Sequence, residues 1–119
     1  MKPIALSREF RGRNIDVRAF LLDSGLSVLV TGGDRSHVGT VSCAAGDLPL
    51  KTVEFPGHEE GVISEKWAAY LFDKLDVPVV VSCGIHYDGI SHSEILSILQ
   101  LCDELLQNLA SICEVALTG

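Results

Sequence analysis

Apolar and polar positions alternate through the first half of the chain, and apolar residues recur at helical spacing through the second. Arg13 to Leu22 alternates before turning apolar, and Asp23-Ser24-Gly25 is a turn. Leu26 to Thr31 reads as a strand, so the two segments predict a hairpin. A second turn, Gly32 to Ser36, leads into a Val- and Thr-rich strand from His37 to Ala45. Gly46-Asp47-Leu48-Pro49 then turns the chain into Leu50 to Phe55. These segments in succession predict an antiparallel meander.

From Glu59 the period changes. Val62, Ile63, Trp67, Ala68, Leu71, Phe72 and Leu75 form one apolar stripe of a helix, which makes Trp67 a core residue. After Pro78 the run Val79-Val80-Val81 continues to Ile85 without alternation, the mark of a central strand covered on both faces. Ser91 and Glu94 spell a capping box. It opens a helix whose face is traced by Ile95, Ile98, Leu99, Cys102, Leu105, Leu106, Leu109 and Ile112. The expected fold is α+β: a mostly antiparallel five-stranded sheet, one helix before the last strand, and two helices packed on one face. At 119 residues, one domain over 1–119 is expected.

This order of elements directs three histidine-bearing turns to one edge of the sheet. They are Gly32 to Gly39 with His37, Pro56 to Gly61 with His58, and Gly84 to Ser91 with His86. Both helix N-termini point to the same edge, with N–H groups suited to a phosphate. Arg11 and Arg13 open the first strand there. The opposite edge carries only ordinary turns. His92 lies in the first turn of a helix and is expected to be solvated.

Composition narrows the function. A net charge of -7 argues against a nucleic-acid partner, although Arg8, Arg11, Arg13 and Arg18 cluster near the start. No apolar run approaches the ~20 residues that span a bilayer, and no signal-peptide core is present. Cys43, Cys83, Cys102 and Cys113 form no C-x-x-C pair and lie in apolar stretches, as expected of buried free thiols in a cytoplasmic protein.

Neutral imidazole binds first-row metals, and carboxylates complete such shells. His37, His58 and His86, with Glu59 or Asp88, offer donors for a divalent metal, though no His-Glu-x-x-His spacing is present. The plainer alternative is that each histidine braces its own turn. Gly32 and Gly33 either cradle a phosphate clamped by Arg35 or form a plain hairpin turn. Tyr87 either stacks on a flat ligand or covers the sheet edge. A Cys83–His86 nucleophilic pair is conceivable, but an apolar strand favours an inert thiol.

In their order and separations, Gly-Gly-Asp-Arg-Ser-His-Val-Gly, Pro-Gly-His-Glu-Glu and Gly-Ile-His-Tyr-Asp-Gly-Ile-Ser resemble the motifs of the prenylated-flavin chaperone family. These are small D-type accessory proteins of gallate-type hydroxyarylic acid decarboxylases. The resemblance runs from the second strand through the last helix. It implies a carrier of reduced prenylated FMN, made by a flavin prenyltransferase and passed to an apo-decarboxylase. It places His37, His58, His86 and Asp88 at the cargo, and the residue chemistry is compatible with Gly32, Gly33 and Arg35 at its phosphate and Tyr87 beside its ring. Among these, His37, His58, His86 and Asp88 are the expected ligands of a divalent metal. A homo-oligomer with its site at a subunit junction would supply the walls that one small chain lacks. Two alternatives stand beside it. One is a metal-dependent hydrolase or lyase using the His37/His58/His86 cluster; the other is a purely structural decarboxylase subunit.

Overall fold

Ile4, Leu6 and Phe10 alternate with Ala5, Ser7 and Glu9, and this period is enough to make a strand ahead of those expected from the sequence. The computed structural model of the chain, which describes residues 2–56 and 61–119, contains six strands and two helices. In chain order they are β1 (Ile4–Phe10), β2 (Arg13–Leu22), β3 (Gly25–Gly33), β4 (Thr40–Ala45), β5 (Leu48–Glu54), α1 (Gly61–Leu75), β6 (Val79–His86) and α2 (His92–Thr118). The α+β class and the two helices on one face hold, and the five-stranded sheet is corrected to six. Only α2 covers the inner side of β1, which leaves its apolar positions half-buried and weakens their pattern.

The meander is also corrected. The sheet order is β1-β2-β3-β6-β4-β5, so β6 inserts between β3 and β4. β3 and β6 run parallel, from Leu26 opposite Val79 to Gly33 opposite His86, and the other neighbours are antiparallel. The Val79-Val80-Val81 run does mark a central strand. Its second face, however, has no covering layer among the described residues: Val80 is 42% exposed while Val79 and Val81 are buried.

The core lies between the inner sheet face and the helices. Ile15, Val17 and Ala19 of β2, Val28 and Val30 of β3, and Val81 and Cys83 of β6 meet Trp67 and Leu71 of α1 and Leu105, Leu106 and Leu109 of α2. Trp67 is 1% exposed, as its helical stripe predicts. Where β4 meets α1 the core becomes polar. Thr40, Ser42 and Ser64 are fully buried, and their hydroxyls are joined at 2.7–2.9 Å. Cys83, Cys102 and Cys113 are buried, whereas Cys43 faces outward and is exposed, against expectation. Burial pushes the Cys102 thiol up to about 12. Among the described residues, no helix is long and apolar enough to cross a membrane.

The Ser91 capping box forms as the sequence predicts. Ser91 Oγ accepts from the Glu94 amide at 3.2 Å, and Glu94 Oε1 accepts from the Ser91 amide at 3.0 Å. Ser91→Ala is expected to cost about 1 kcal/mol in urea unfolding. The amide and hydroxyl of Ser91 hold the Glu94 carboxyl below its ordinary 4.5. That contribution is therefore complete above pH 4.5 and fades as the pH falls through the lowered value.

Candidate functional site

The insertion of β6 between β3 and β4 builds the site. The chain leaving β3 has to pass over the end of β6 to reach β4, and residues 34–39 make that crossing. Asp34 N–H donates to the His86 carbonyl at 2.6 Å, Gly39 N–H to that of Cys83 at 3.1 Å, and Phe55 N–H to that of Gly39 at 2.9 Å. The His37 carbonyl rests on Gly84, in the space a side chain there would fill. Two imidazoles from opposite ends of the β4 to β6 segment thereby approach: the His37 and His86 ring centroids are 6.4 Å apart.

Gly32 and Gly33 prove to be packing residues within β3 rather than an open turn. A Cβ on Gly32 would strike the Asn14 carbonyl, and one on Gly33 would strike that of His86. Gly33 also has φ +86°, which an L side chain resists. The pair lets the end of β3 lie tightly between β2 and β6.

His86 is the hub of the edge. Its Nε2 stands 2.8 Å from Asp88 Oδ1 and 3.2 Å from Arg35 Nη2. A single ring nitrogen cannot donate to a carboxylate and accept from a guanidinium at once. The tautomer that donates to Asp88 leaves Arg35 without an acceptor at that atom. Chiefly this hydrogen bond, with Arg35 and Arg11 adding to it, holds the Asp88 carboxyl below its ordinary 3.8. Asp88 N–H donates to Asp34 Oδ2 at 2.8 Å, and Asp34 Oδ1 lies 3.7 Å from Arg13 Nε. Arg11, at φ 54°, reaches to 3.6 Å from Glu94. Three guanidinium groups therefore stand along one edge, and Arg35 alone of the three forms no ion pair among the described residues.

Tyr87 belongs to the scaffold in this structure. It is 4% exposed, packs edge-on against Phe10 at 5.4 Å, and donates its hydroxyl to the Arg13 carbonyl at 3.0 Å. Burial first, and then the neighbouring Asp34, push its phenol above the ordinary 10. The expected stacking surface is thus corrected to a brace that ties β1 and β2 to the end of β6. Exposed apolar groups at this edge come instead from Val38 and Phe55.

The histidine-cluster expectation is met in part. His37, His86 and Asp88 come together, His58 lies outside the described residues, and His92 is exposed. Among the described residues, no three His, Cys, Asp or Glu side chains are gathered as a metal would require. The physical reason is visible at His86, where a guanidinium and a carboxylate already occupy the surroundings of Nε2. The expected metal set is therefore not supported. Asp34, by contrast, has no role that its sequence context predicts, yet it joins β2, β6 and the crossing loop. An acidic residue directly after Gly-Gly is the signal that could have marked it.

The edge can hold an anion through Arg35, beside the uncovered sheet face, while His86 engages Asp88 through Nε2–H. Residues 9–114 match the prenylated flavin chaperone LpdD-like domain. Protein LpdD of Lactiplantibacillus plantarum is 29% identical over 91 residues, covering 72% of this chain and 67% of that protein. In solved structures, a chain of a chaperone complex for yeast 20S proteasome assembly matches with a TM-score of 0.64 and 15% identity. That match covers 92% of this chain and 95% of the other. At such identity the likeness is one of fold alone.

Proposed function

Because the chain belongs to the prenylated flavin chaperone LpdD-like family, we propose that it holds reduced prenylated FMN at the His37–His86 edge of its sheet. It receives this cargo from a flavin prenyltransferase and passes it to an aromatic acid decarboxylase that uses it. The observation that carries this reading is Arg35, without an ion pair among the described residues, beside His86 on the loop that crosses β6. A guanidinium is suited to phosphate because its planar fork matches two oxygens. His86 then keeps Asp88 engaged through Nε2–H, so binding the anion at Arg35 leaves that hydrogen bond intact. The flat ring system has Val38, Phe55 and the helix-free sheet face beside it. A carrier needs to hold without chemistry and to let go, and a site built from an exposed edge is consistent with both.

The test is anaerobic gel filtration after incubation with reduced prenylated FMN or with reduced FMN, read by absorbance. Wild type is expected to retain the prenylated form, with retention unchanged by chelator. Arg35→Ala is expected to lower affinity by roughly tenfold or more, the loss of about 1.5–3 kcal/mol for a charge-assisted hydrogen bond. His86→Ala is expected to lower it as well, because Asp88 is then released beside Arg35. Equal indifference of wild type to both flavins would sink the carrier reading. Retention that needs added metal would restore the metal set and remove Arg35 from its central place.

A further inference from the structure

Asp34 is fixed to the chain where β6 ends, on both sides of Tyr87. Gly33, at φ +86°, turns the chain out of β3 and sets the Asp34 N–H on the His86 carbonyl at 2.6 Å. Two residues beyond His86, the Asp88 N–H donates to Asp34 Oδ2 at 2.8 Å. Between them, Tyr87 is buried and donates its hydroxyl to the Arg13 carbonyl. The Arg13 guanidinium in turn lies 3.7 Å from Asp34 Oδ1. Asp34 thus grips residues 86 and 88 with its main chain and its side chain at once, and Arg13 anchors it to β2.

This grip decides where a carboxylate goes. Asp88 Oδ1 and Arg35 Nη2 stand against the same nitrogen, His86 Nε2, at 2.8 and 3.2 Å. The Asp88 side chain is 74% exposed, so packing does little to confine it. Arg35 has no ion pair among the described residues. A carboxylate released beside its planar fork would turn onto it, since that pairing is bidentate and charge-assisted. Arg35 would then be neutralised by a residue of its own chain, and an incoming phosphate would have to displace it. Aspartate is short, and its reach follows its main chain. With residues 86 and 88 both held, the carboxylate meets the imidazole instead. We propose that Asp34 is a positioning residue for the anion seat: by clasping the main chain at His86 and Asp88, it keeps the Asp88 carboxylate on the imidazole and Arg35 open to phosphate. This rests on Arg35 as the seat proposed above. The clasp is exposed, so its loss returns the Asp88 N–H to water at small cost to the fold. Its effect is read in anion binding and not in stability.

Nitrogen NMR of the cargo-free protein, with titration by inorganic phosphate, tests this at about pH 8, above the ordinary range of an imidazole. In wild type the His86 ring is expected as a single Nε2–H tautomer, and in Asp34→Ala as a mixture of both. Phosphate is followed at the Arg35 side-chain N–H resonances. It is expected to bind Asp34→Ala roughly tenfold more weakly than wild type, on the scale of one charge-assisted contact. Asp34→Asn keeps an acceptor for the Asp88 N–H and should behave as wild type. The decisive variant combines Asp34→Ala with Asp88→Asn, which removes the competing carboxylate. It should regain phosphate affinity to within about threefold of wild type, although its main chain is no longer clasped. Either an unchanged His86 tautomer or unchanged phosphate binding in Asp34→Ala overturns the proposal. So does a loss that Asp88→Asn leaves unrepaired, because Asp34 would then act only by holding the loop in place. Wild type whose Arg35 resonances ignore phosphate overturns it as well. Flavin retention is a separate measurement: if wild type ignores both flavins yet responds to phosphate, the carrier reading falls and this inference stands.

Discussion

Gly84→Ala is expected to destabilise the protein by about 1–3 kcal/mol, the range for overpacking, and to abolish cargo retention. The added methyl group would occupy the position of the His37 carbonyl, which is backbone and cannot rotate away. The crossing loop would have to lift from β6, stretching the Gly39 to Cys83 hydrogen bond and parting His37 from His86. Gly89→Ala is the control. Gly89 has φ +60°, and a methyl group added there would meet nothing within 4 Å, so only backbone strain of about 1–2 kcal/mol is expected. Urea unfolding of both variants, with flavin retention measured at matched stability, separates crowding from strain. If Gly84→Ala were as stable as wild type and retained cargo, the loop would not rest on β6.

Ser64→Ala is expected to lose about 1–3 kcal/mol, a large effect for one oxygen atom. Ser64 Oγ accepts from Thr40 Oγ1 at 2.9 Å and meets Ser42 Oγ at 2.7 Å, and Ser42 in turn meets Thr52 at 2.7 Å. Thr40 is fully buried, so removing Ser64 takes away the acceptor of a hydroxyl that water cannot reach, while Ser42 keeps Thr52. The combined Thr40→Val, Ser42→Ala, Ser64→Ala variant removes donors and acceptors together. It should therefore cost less than the sum of the three single changes. Denaturant midpoints of the triple variant and the three single ones decide this, and additivity would mean that the hydroxyls act independently. The network ties β4 and β5 to the first turn of α1, since Ser64 also lies 3.4 Å from the Gly61 carbonyl.

What the sequence disclosed follows from how local each signal is. The capping box, the stripe through Trp67 and the strand-like alternations are settled by neighbours in the chain, and all are present, except in where two strands begin. The strand expected from His37 begins at Thr40, and the one expected from Leu50 begins at Leu48. The crossover of β6 is not local. Short turns favour pairing β3 with β4, and nothing in Gly32 to Gly39 states that another strand comes between. Convergence of His37 and His86 on one edge was legible, because it depends only on strand direction, which the insertion preserves. Their approach to 6.4 Å was not, because it requires the loop to lie across β6. Tyr87 was ambiguous for a similar reason. An aromatic residue at a strand end turns outward or inward according to what covers it, and here Phe10 of the additional strand β1 covers it.

The parallel pairing of β3 with β6 also governs the order in which a newly made chain can acquire its function. β1 to β3 can form a hairpin array as they leave the ribosome, and β4 with β5 can form another, but these two halves are not neighbours in the sheet. They are joined only when β6, the last strand translated, slides between them. Residues 34–39 then have a surface to lie on. Such late, long-range closure slows folding. It also means that an incomplete chain has no assembled His37–His86 edge.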